Sequence, residues 1–596
     1  MTRKARSPNQ KPAEAKLRTM KLGGPAILLL AAAAAIWPLW LNGPSCGDDF
    51  YFHFVSWSDA QRSMLQGVLY PHWANSANFG AGEPRFVFYP PLTWMIGASL
   101  GLVLPWKGVA LALTFLLLAG TGLANRALAR EVLADGPATL AGCAAICLGR
   151  ILSDITQRSA FAELTGGFWV PLLLLFLLRN RNPSGRFWQR TFDGSALPLS
   201  LIMAGIWLSN GPLGIEANYL LAATAVVCAA LQKSWSPVVR AIVGGSIGIA
   251  LTSIYLIPAI WERNWANFQD AVTRPNYRIE NSWFFGYHSD PTLILHNRTL
   301  FGISVIAVAM LVVTFASAFI AWRRGTLPGE RRWWIPLTLI PIAVFFLQLP
   351  VSLPLWNWLP ELRFLQLPWR WLLVMQPSLA VFFAAAVWVH PGRRRIAILT
   401  ACALLFFVVS TVTWLFCFND CKAFNAGFKV WEGGEGAEGK PEYAPPHIQY
   451  RLLLPDVPRN CVVSNLNDLT DISGEPGDGL NPVRAGSESL CKGRFVEPMN
   501  QPERKGFVGV VDQPGYLILG LRSYPAWKTM VNGLPATTLV ERGHGLMAIP
   551  VARGPVTVVV QWTTTPDVIA GRWVSFFALV LLTGLYLVER RMSQAR

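Results

Sequence analysis

The sequence predicts an α-helical polytopic membrane protein of about twelve transmembrane helices that carries a C-terminal, mostly β, sandwich-like extracytoplasmic domain. Three observations lead there. Of 596 residues, 53% are hydrophobic and only 14% charged, whereas a soluble domain carries about a quarter charged residues. Apolar stretches of bilayer length, about 17–25 residues each, recur from residue 23 to residue 417 and once more near the end. Between the last two of them lies segment 418–567, long enough to be a domain and rich in β-forming residues. The same composition excludes a disordered chain, a collagen-like repeat and a small disulfide scaffold. Lys+Arg 51 less Asp+Glu 34 gives +17, a balance that would suit nucleic acid if it were not distributed as membrane topology requires.

The elements follow in order. Residues 1–22 form a basic tail (Arg3, Lys4, Arg6, Lys11, Lys16, Arg18, Lys21) before the first span at 23–41. The pair resembles a secretory signal, but no small-x-small cleavage site follows and Pro44-Ser45-Cys46 is not a lipoprotein box, so an uncleaved anchor is expected. Further spans are expected at 108–124, 137–152, 164–178, 196–209, 213–231, 238–258, 299–322, 333–349, 371–389, 396–417 and 568–588. One more apolar stretch, 86–104, decides the topology. If it stays outside, the basic loops around Arg126, Arg179, Lys233, Arg323, Arg393 and Arg590 all fall in the cytoplasm, as the positive-inside rule demands. If it spans, they all move outside. It is therefore expected to be a juxtamembrane or re-entrant helix within the outer loop 42–107, with both termini cytoplasmic.

Segment 418–567 holds 16 acidic and 14 basic residues, so the positive charge belongs to the membrane part 23–417 and its loops. From about Cys461 it reads as strand and turn, with a Val531-Asn532-Gly533 turn signal, and 568–596 closes the chain with the last span and a basic tail. A Gly/Glu-rich start at 432–436 reads as a linker. Cys143, Cys147, Cys228 and Cys402 fall in spans and are expected to be packing residues. Of the five outside, Cys461–Cys491 and Cys417–Cys421 are the preferred disulfides, which leaves Cys46 odd. Their spacings are not those of a zinc site.

Chemistry concentrates in the first outer loop: Gly47-Asp48-Asp49-Phe50-Tyr51-Phe52-His53, then Tyr70-Pro71-His72-Trp73, then Phe88-Tyr89-Pro90-Pro91-Leu92. Two adjacent carboxylates where the dielectric is falling suit a proton acceptor, and His53, four residues after Asp49, would share its helical face. The plainer alternative is a solvated loop in which Asp48 caps a short helix. The order of features resembles the C-type (GT-C) glycosyltransferases: a first span, an outer loop opening on an acidic pair, a Tyr-Pro-x-Trp segment and a Pro-Pro-Leu juxtamembrane helix. More narrowly, the chain resembles bacterial membrane proteins named as pyruvoyl-tetrahydropterin-synthase-related and their YfhO-type relatives. Arg158-Ser159-Ala160-Phe161-Ala162-Glu163, Leu367-Pro368-Trp369-Arg370-Trp371, Glu442-Tyr443-Ala444-Pro445-Pro446 and Tyr524-Pro525-Ala526-Trp527-Lys528 carry that likeness. The pterin name implies no pterin chemistry, because no histidine cluster for its zinc is present.

The resemblance implies a GT-C-like membrane domain in a bacterial inner membrane and transfer of a sugar from a polyprenyl-phosphate carrier to a cell-envelope acceptor at the outer face. Asp48 or Asp49 is the implied base. Arg370, with Arg158 and Arg363 behind it, is the candidate for the leaving phosphate, since arginine presents a charged planar fork to phosphate oxygens. An interfacial anchor between Trp369 and Trp371 is the competing reading of Arg370. His53, Glu163 and Glu216 complete the candidate substrate-binding set. A divalent cation, if used, would draw on Asp48, Asp49 and Asp154, although an Arg158–Glu163 ion pair accounts for that loop more simply. Charges of loop 259–298, including Glu262, Arg263, Arg274 and Arg278, are expected to be mostly solvated, in a loop able to gate the cavity. Trp527 is either a sugar-stacking platform or a sandwich-core aromatic. Two other functions compete. A transporter or flippase of a lipid-linked precursor fits twelve spans but not the lack of an internal repeat. A non-catalytic scaffold with a glycan-binding outer domain would make the acidic pair dispensable.

Overall fold

The computed structural model of the chain describes residues 11–268, 270–327, 330–388, 392–421, 434, 436–446, 448, 453, 459–464, 495–536 and 539–594. Among them, eight helices are long and apolar enough to cross a bilayer: Trp106–Ala129, Asp135–Arg158, Phe161–Leu178, Gly211–Gln232, Pro291–Arg323, Pro368–Val387, Arg393–Cys417 and Pro566–Met592. Two broken helices raise the number to ten. Ser236–Leu251 and Ser253–Trp265 meet at 72°, and Arg331–Leu347 and Pro350–Trp358 at 95°. The first breaks at Thr252, whose hydroxyl bonds back to the Ile249 carbonyl at 2.7 Å and so competes with the helical ladder. The second breaks before Pro350, which has no N–H to continue one.

By length and composition the described residues thus hold eight to ten candidate spans where twelve were expected. At 23–41 and 196–209 stand the shorter apolar helices Gly23–Ala35 and Ala196–Ser209, each reaching about 20 Å against a hydrocarbon core of about 30 Å. Stretch 86–104 is no span. It forms one turn, Arg85–Phe88, and an 11-residue helix, Pro91–Gly101, separated at Tyr89-Pro90 because a residue before proline avoids the α region.

Burial separates the bundle into an inner and an outer layer. In Pro368–Val387 and Asp135–Arg158, 89% and 83% of the span is buried, against 11% in Arg393–Cys417 and 22% in Pro566–Met592. The two inner helices meet, and their charged ends, Arg150–Arg158 and Trp369–Arg370, form the site described below.

The C-terminal part is two antiparallel sheets. Strands β1 (Cys461–Val463), β4 (Gly515–Arg522), β8 (Leu546–Val551) and β7 (Val540–Glu541) form one in that order; β2 (Val496–Gln501), β3 (Arg504–Val511), β9 (Gly554–Trp562), β5 (Trp527–Val531) and β6 (Leu534–Pro535) form the other. Alternate residues such as Val556, Val558 and Val560 of β9 and Leu517, Leu519 and Leu521 of β4 share one apolar core, so the sheets face each other as a sandwich. Asn532 and Gly533 turn the β5–β6 hairpin with φ of 49° and 82°, the two positive values that a type I′ turn requires. Of the Gly/Glu-rich linker, Gly434 and Gly436 are described, and the next residue, Ala437, is fastened to the loop 42–107: Ala437 N donates to Ser76 O at 2.7 Å. Glu432, Gly433 and Glu435 lie outside the described residues.

That loop is built into the sandwich. Trp73, Val87 and Phe88 join its core, where Trp73 meets Trp527 edge-on at 5.5 Å. Trp527 is thus buried, a core aromatic rather than an exposed sugar platform. The disulfide expectation also changes. Cys46 bonds Cys421, 375 residues away, and Cys417 is free; the break at Pro44 and the end of helix Arg393–Cys417 bring those two segments side by side, which sequence spacing does not reveal. Cys461 is disulfide-bonded, and Cys491, its expected partner, lies outside the described residues.

Candidate functional site

The acidic pair is held by backbone pairing rather than by a helix. Residues 45–49 run along 156–159: Asp48 N and Asp49 N donate to the carbonyls of Gln157 and Arg158 at 3.3 and 2.8 Å, and Gly47 N donates to Ser159 Oγ at 3.1 Å. Ser159 Oγ in turn donates to Ser45 O at 2.8 Å, and Ser45 Oγ donates to Thr156 O. Glycine is required at 47, since a Cβ there would lie 2.4 Å from Gln157 O and 2.6 Å from Arg158 C. The Cys46–Cys421 bond and Asn419, whose amide donates to Gln157 O at 3.0 Å, tie in a third segment.

The partner strand is possible because Asp154–Arg158 is one turn of π-helix and Ser159 then takes φ 53°. A π-turn widens the helix by one residue and recurs at functional sites. Here it brings Arg158 to within 3.7 Å of Asp154 and turns it to Asp49.

The N-cap of the following helix, Phe50–Leu65, is Asp49, not Asp48, and its side chain makes no capping bond. Its carboxylate is therefore unspent on the helix end, and it turns to Arg158, 3.4 Å away. Asp48 is exposed. Protein still rings it, and that desolvation, together with the Asp49 charge, raises its carboxyl above the usual range, with Arg158 acting in the opposite direction.

Behind Asp49 lies a buried network. Arg158 pairs Glu163 at 2.8 Å and Asp154 at 3.7 Å. Arg150, 1% exposed, pairs Asp154 at 3.0 Å and Glu163 at 2.7 Å and donates to the Trp369 carbonyl at 2.7 Å. That last bond sets the position of the next residue, Arg370. Arg370 donates to Gln366 at 3.2 Å, forms no ion pair among the described residues, and has a buried Nε without a hydrogen-bond partner. Glu216, 2% exposed with one oxygen unbonded, lies within electrostatic reach of Arg370, Glu163 and Arg150. Three arginines thus face Asp49, Asp154, Glu163 and Glu216, and two of the three are already matched.

Tyr89, set by the Pro90-Pro91 corner, lies within electrostatic reach of Asp49, Arg370, Glu163 and Arg158, and burial raises its phenol above the ordinary value. From loop 259–298, Tyr277 comes within electrostatic reach of Asp49 and Arg370.

The structure thus gathers Asp49, Asp154, Arg158, Glu163, Glu216 and Arg370. It leaves two candidates aside. Arg363 is spent on Glu280 at 2.6 Å and on Asn357. His53 shares the Asp49 face, its N–H donating to Asp49 O at 3.1 Å, but it is 2% exposed among Trp57, Tyr89 and Phe161. Burial holds its imidazole down at about 4, so it is a neutral packing residue.

Among the described residues, no three His, Cys, Asp or Glu side chains converge as metal ligands; Asp154 turns to the arginines instead of to Asp48. Sequence reasoning missed Arg150, although an arginine inside a stretch read as a span is itself a signal. It named Tyr89 within a loop motif but gave it no role, and it missed the buried state of Glu262, 1% exposed, which it placed among solvated loop charges.

A family of membrane proteins described as the 6-pyruvoyl-tetrahydropterin synthase related domain matches residues 86–419, more than half of the chain. No curated protein matches it. Among solved structures, the apo oligosaccharyltransferase of Archaeoglobus fulgidus is similar at 13% identity and a TM-score of 0.41, over 70% of this chain and 60% of that one. The same archaeon's oligosaccharyltransferase AglB, in complex with an inhibitory peptide and a dolichol-phosphate, is similar at 12% and 0.41, over 70% and 58%. The mycobacterial arabinofuranosyltransferase AftD is similar at 14% and 0.37, over 70% and 29%. The chain spans about 60% or less of the length of these structures.

Proposed function

The chain belongs to the 6-pyruvoyl-tetrahydropterin synthase related family of membrane proteins, and on that premise we propose that it transfers a sugar from a polyprenyl-phosphate carrier to an acceptor hydroxyl at the outer face of a bacterial cytoplasmic membrane. In this reading the short helices at 23–41 and 196–209 complete twelve spans, both termini are cytoplasmic, and the sandwich lies outside.

One observation carries the reading: Arg370 is a part-buried arginine whose Nε is buried without a hydrogen-bond partner and which forms no ion pair among the described residues, in a cluster whose other arginines are ion-paired. A buried cation without a counter-charge is costly, and a phosphate ester provides that charge with oxygens suited to the guanidinium fork. Arg150 and its carboxylates keep the fork in place before the donor arrives, so little reorganisation is needed when negative charge develops on the leaving phosphate.

Asp49 takes the part of the base. Its carboxylate is bound to no helix end, is half-exposed, and is oriented by Arg158 at 3.4 Å. The acceptor oxygen attacks the anomeric carbon, its proton passes to Asp49, and the bond from that carbon to the phosphate oxygen breaks with the electron pair leaving on the phosphate. Attack from the side opposite the phosphate inverts the anomeric centre. Tyr89 and Glu216 are placed to bind sugar hydroxyls.

The test uses membranes or purified full-length protein with a panel of polyprenyl-phosphate sugars. Asp49→Asn is expected to cut transfer by about 10²–10⁴-fold, the range of general-base catalysis, and Asp48→Asn to leave it within a few-fold. Arg370→Ala is expected to act on donor use. Full activity of Asp49→Asn would remove Asp49 as the base, whereas movement of the lipid-linked sugar across vesicles with its chemistry unchanged would replace the proposal with the flippase reading.

A further inference from the structure

Four residues before Arg370 the chain makes a turn that side chains seldom adopt. Gln366 takes φ 65° and ψ −47°, away from the left-handed helical well, and Leu367 N donates to Leu365 O at 2.6 Å. A bond from residue i+2 back to residue i, around a centre with positive φ and negative ψ, is a γ-turn of the rare and strained kind. Glycine adopts a positive φ without steric cost, yet position 366 carries glutamine. The neighbours keep it there. Leu362, Leu365 and Leu367 are buried, so apolar packing fixes the chain on both sides of the turn. Pro368 keeps Leu367 extended, at φ −126° and ψ 111°, and its carbonyl accepts from Gln348 Nε2 at 2.8 Å. Gln366 N donates to Arg363 O at 3.0 Å, and Arg370 N donates to Leu367 O at 3.1 Å. A strained residue persists only where its surroundings over-determine it, and such residues gather at functional sites.

The side chain shows what the strain secures. Gln366 Oε1 accepts from Arg370 Nη2 at 3.2 Å. An amide oxygen is a neutral acceptor, so it fixes one end of the guanidinium without cancelling the charge. A carboxylate at the same place would fix it and neutralise it together. The other two arginines of the cluster are oriented by carboxylates; Arg370 is oriented by an amide.

We infer that Gln366 is a positioning residue: the strained turn at 365–367 sets its amide against Arg370, which holds the guanidinium in one orientation and leaves its full charge for a lipid-linked phosphate. The inference rests on the phosphate role given to Arg370 above and adds the residue that orients it. It does not depend on whether the bound lipid phosphate then reacts.

The experiment uses the full chain in a neutral detergent. It measures binding of a tritiated polyprenyl monophosphate by scintillation proximity, and thermal unfolding of the same samples. Gln366→Ala and Gln366→Gly both delete the amide, and both should weaken binding by about 10-fold, the factor carried by one hydrogen bond to a charged group. They should differ in stability. Glycine releases the backbone strain that alanine retains, so the midpoint of Gln366→Gly should lie above that of Gln366→Ala by roughly 1–2 °C. Gln366→Glu keeps the shape and the acceptor oxygen but pairs Arg370 in advance, so it should bind more weakly than Gln366→Ala while its midpoint does not fall. A side chain that only packs would reverse that order, with the isosteric Gln366→Glu binding better than Gln366→Ala, and that result overturns the proposal. So does wild-type binding by Gln366→Ala, or a Gln366→Gly midpoint at or below that of Gln366→Ala; either leaves the phosphate role of Arg370 standing. Failure of the wild type to bind the lipid phosphate removes that role itself, and the proposal with it.

Discussion

Replacing Arg150 by methionine tests the whole construction of the site, because methionine fills much of the same volume while removing the charge. In the wild type the guanidinium bonds Asp154 at 3.0 Å, Glu163 at 2.7 Å and the Trp369 carbonyl at 2.7 Å, with all three partners buried. Breaking one buried pair by removing a partner costs about 3–5 kcal/mol, mostly for the charge left behind. Both carboxylates keep Arg158, at 3.7 and 2.8 Å, so the lower end, about 3 kcal/mol, is expected, or roughly two powers of ten in the unfolding equilibrium. Asp154→Asn in the Arg150→Met background removes one stranded charge and should recover about 1 kcal/mol or more. The assay is equilibrium unfolding in mixed micelles followed by tryptophan fluorescence. Arg150→Met within about 1 kcal/mol of wild type, or a double variant no better than the sum of its singles, would mean that these groups are not a buried network.

Three further outcomes are expected. Non-reducing digestion and mass spectrometry should recover a peptide pair linked through Cys46 and Cys421; a link between Cys417 and Cys421 would refute the arrangement around the acidic pair. Gly47→Ala should destabilise by about 1–3 kcal/mol as an overpacked site and displace Asp49 from Arg158, so unchanged stability and activity together would show that segments 45–49 and 156–159 are not in contact. His53 has a folded value of about 4 against 6.5 when exposed, so the unfolded chain binds the proton first and stability is lost as the pH falls from about 6.5 towards 4. Between pH 7 and 4.5 wild type should lose roughly 2 kcal/mol more than His53→Asn; equal losses would place the imidazole in water.

Much of the bundle was legible from periodicity and length alone. The positive-inside rule set 86–104 apart from the spans, and the structure divides that stretch between the short helices Arg85–Phe88 and Pro91–Gly101. The β run at 556–562 lies within strand β9, and the Asn532-Gly533 turn closes a hairpin. The acidic pair was visible because two adjacent carboxylates after a span are chemically conspicuous. Which of them faces the site was not, since that depends on the π-turn at Asp154–Arg158 and on the Gly47 contact across more than a hundred residues. Arg150 was hidden inside a stretch read as a span.

The amino-acid order by itself determined the membrane class, because removing so much apolar surface from water is a sum over residues and needs no knowledge of their partners. It also determined where most helices start and stop, through prolines and charges acting on neighbouring backbone. Pairing was decided only by the fold: Cys46 with Cys421, Arg150 with Glu163, Glu262 beside Asp567. A buried charge or thiol interacts with whatever packing brings within a few ångströms, and in a bundle of broken helices that distance bears no relation to separation along the chain.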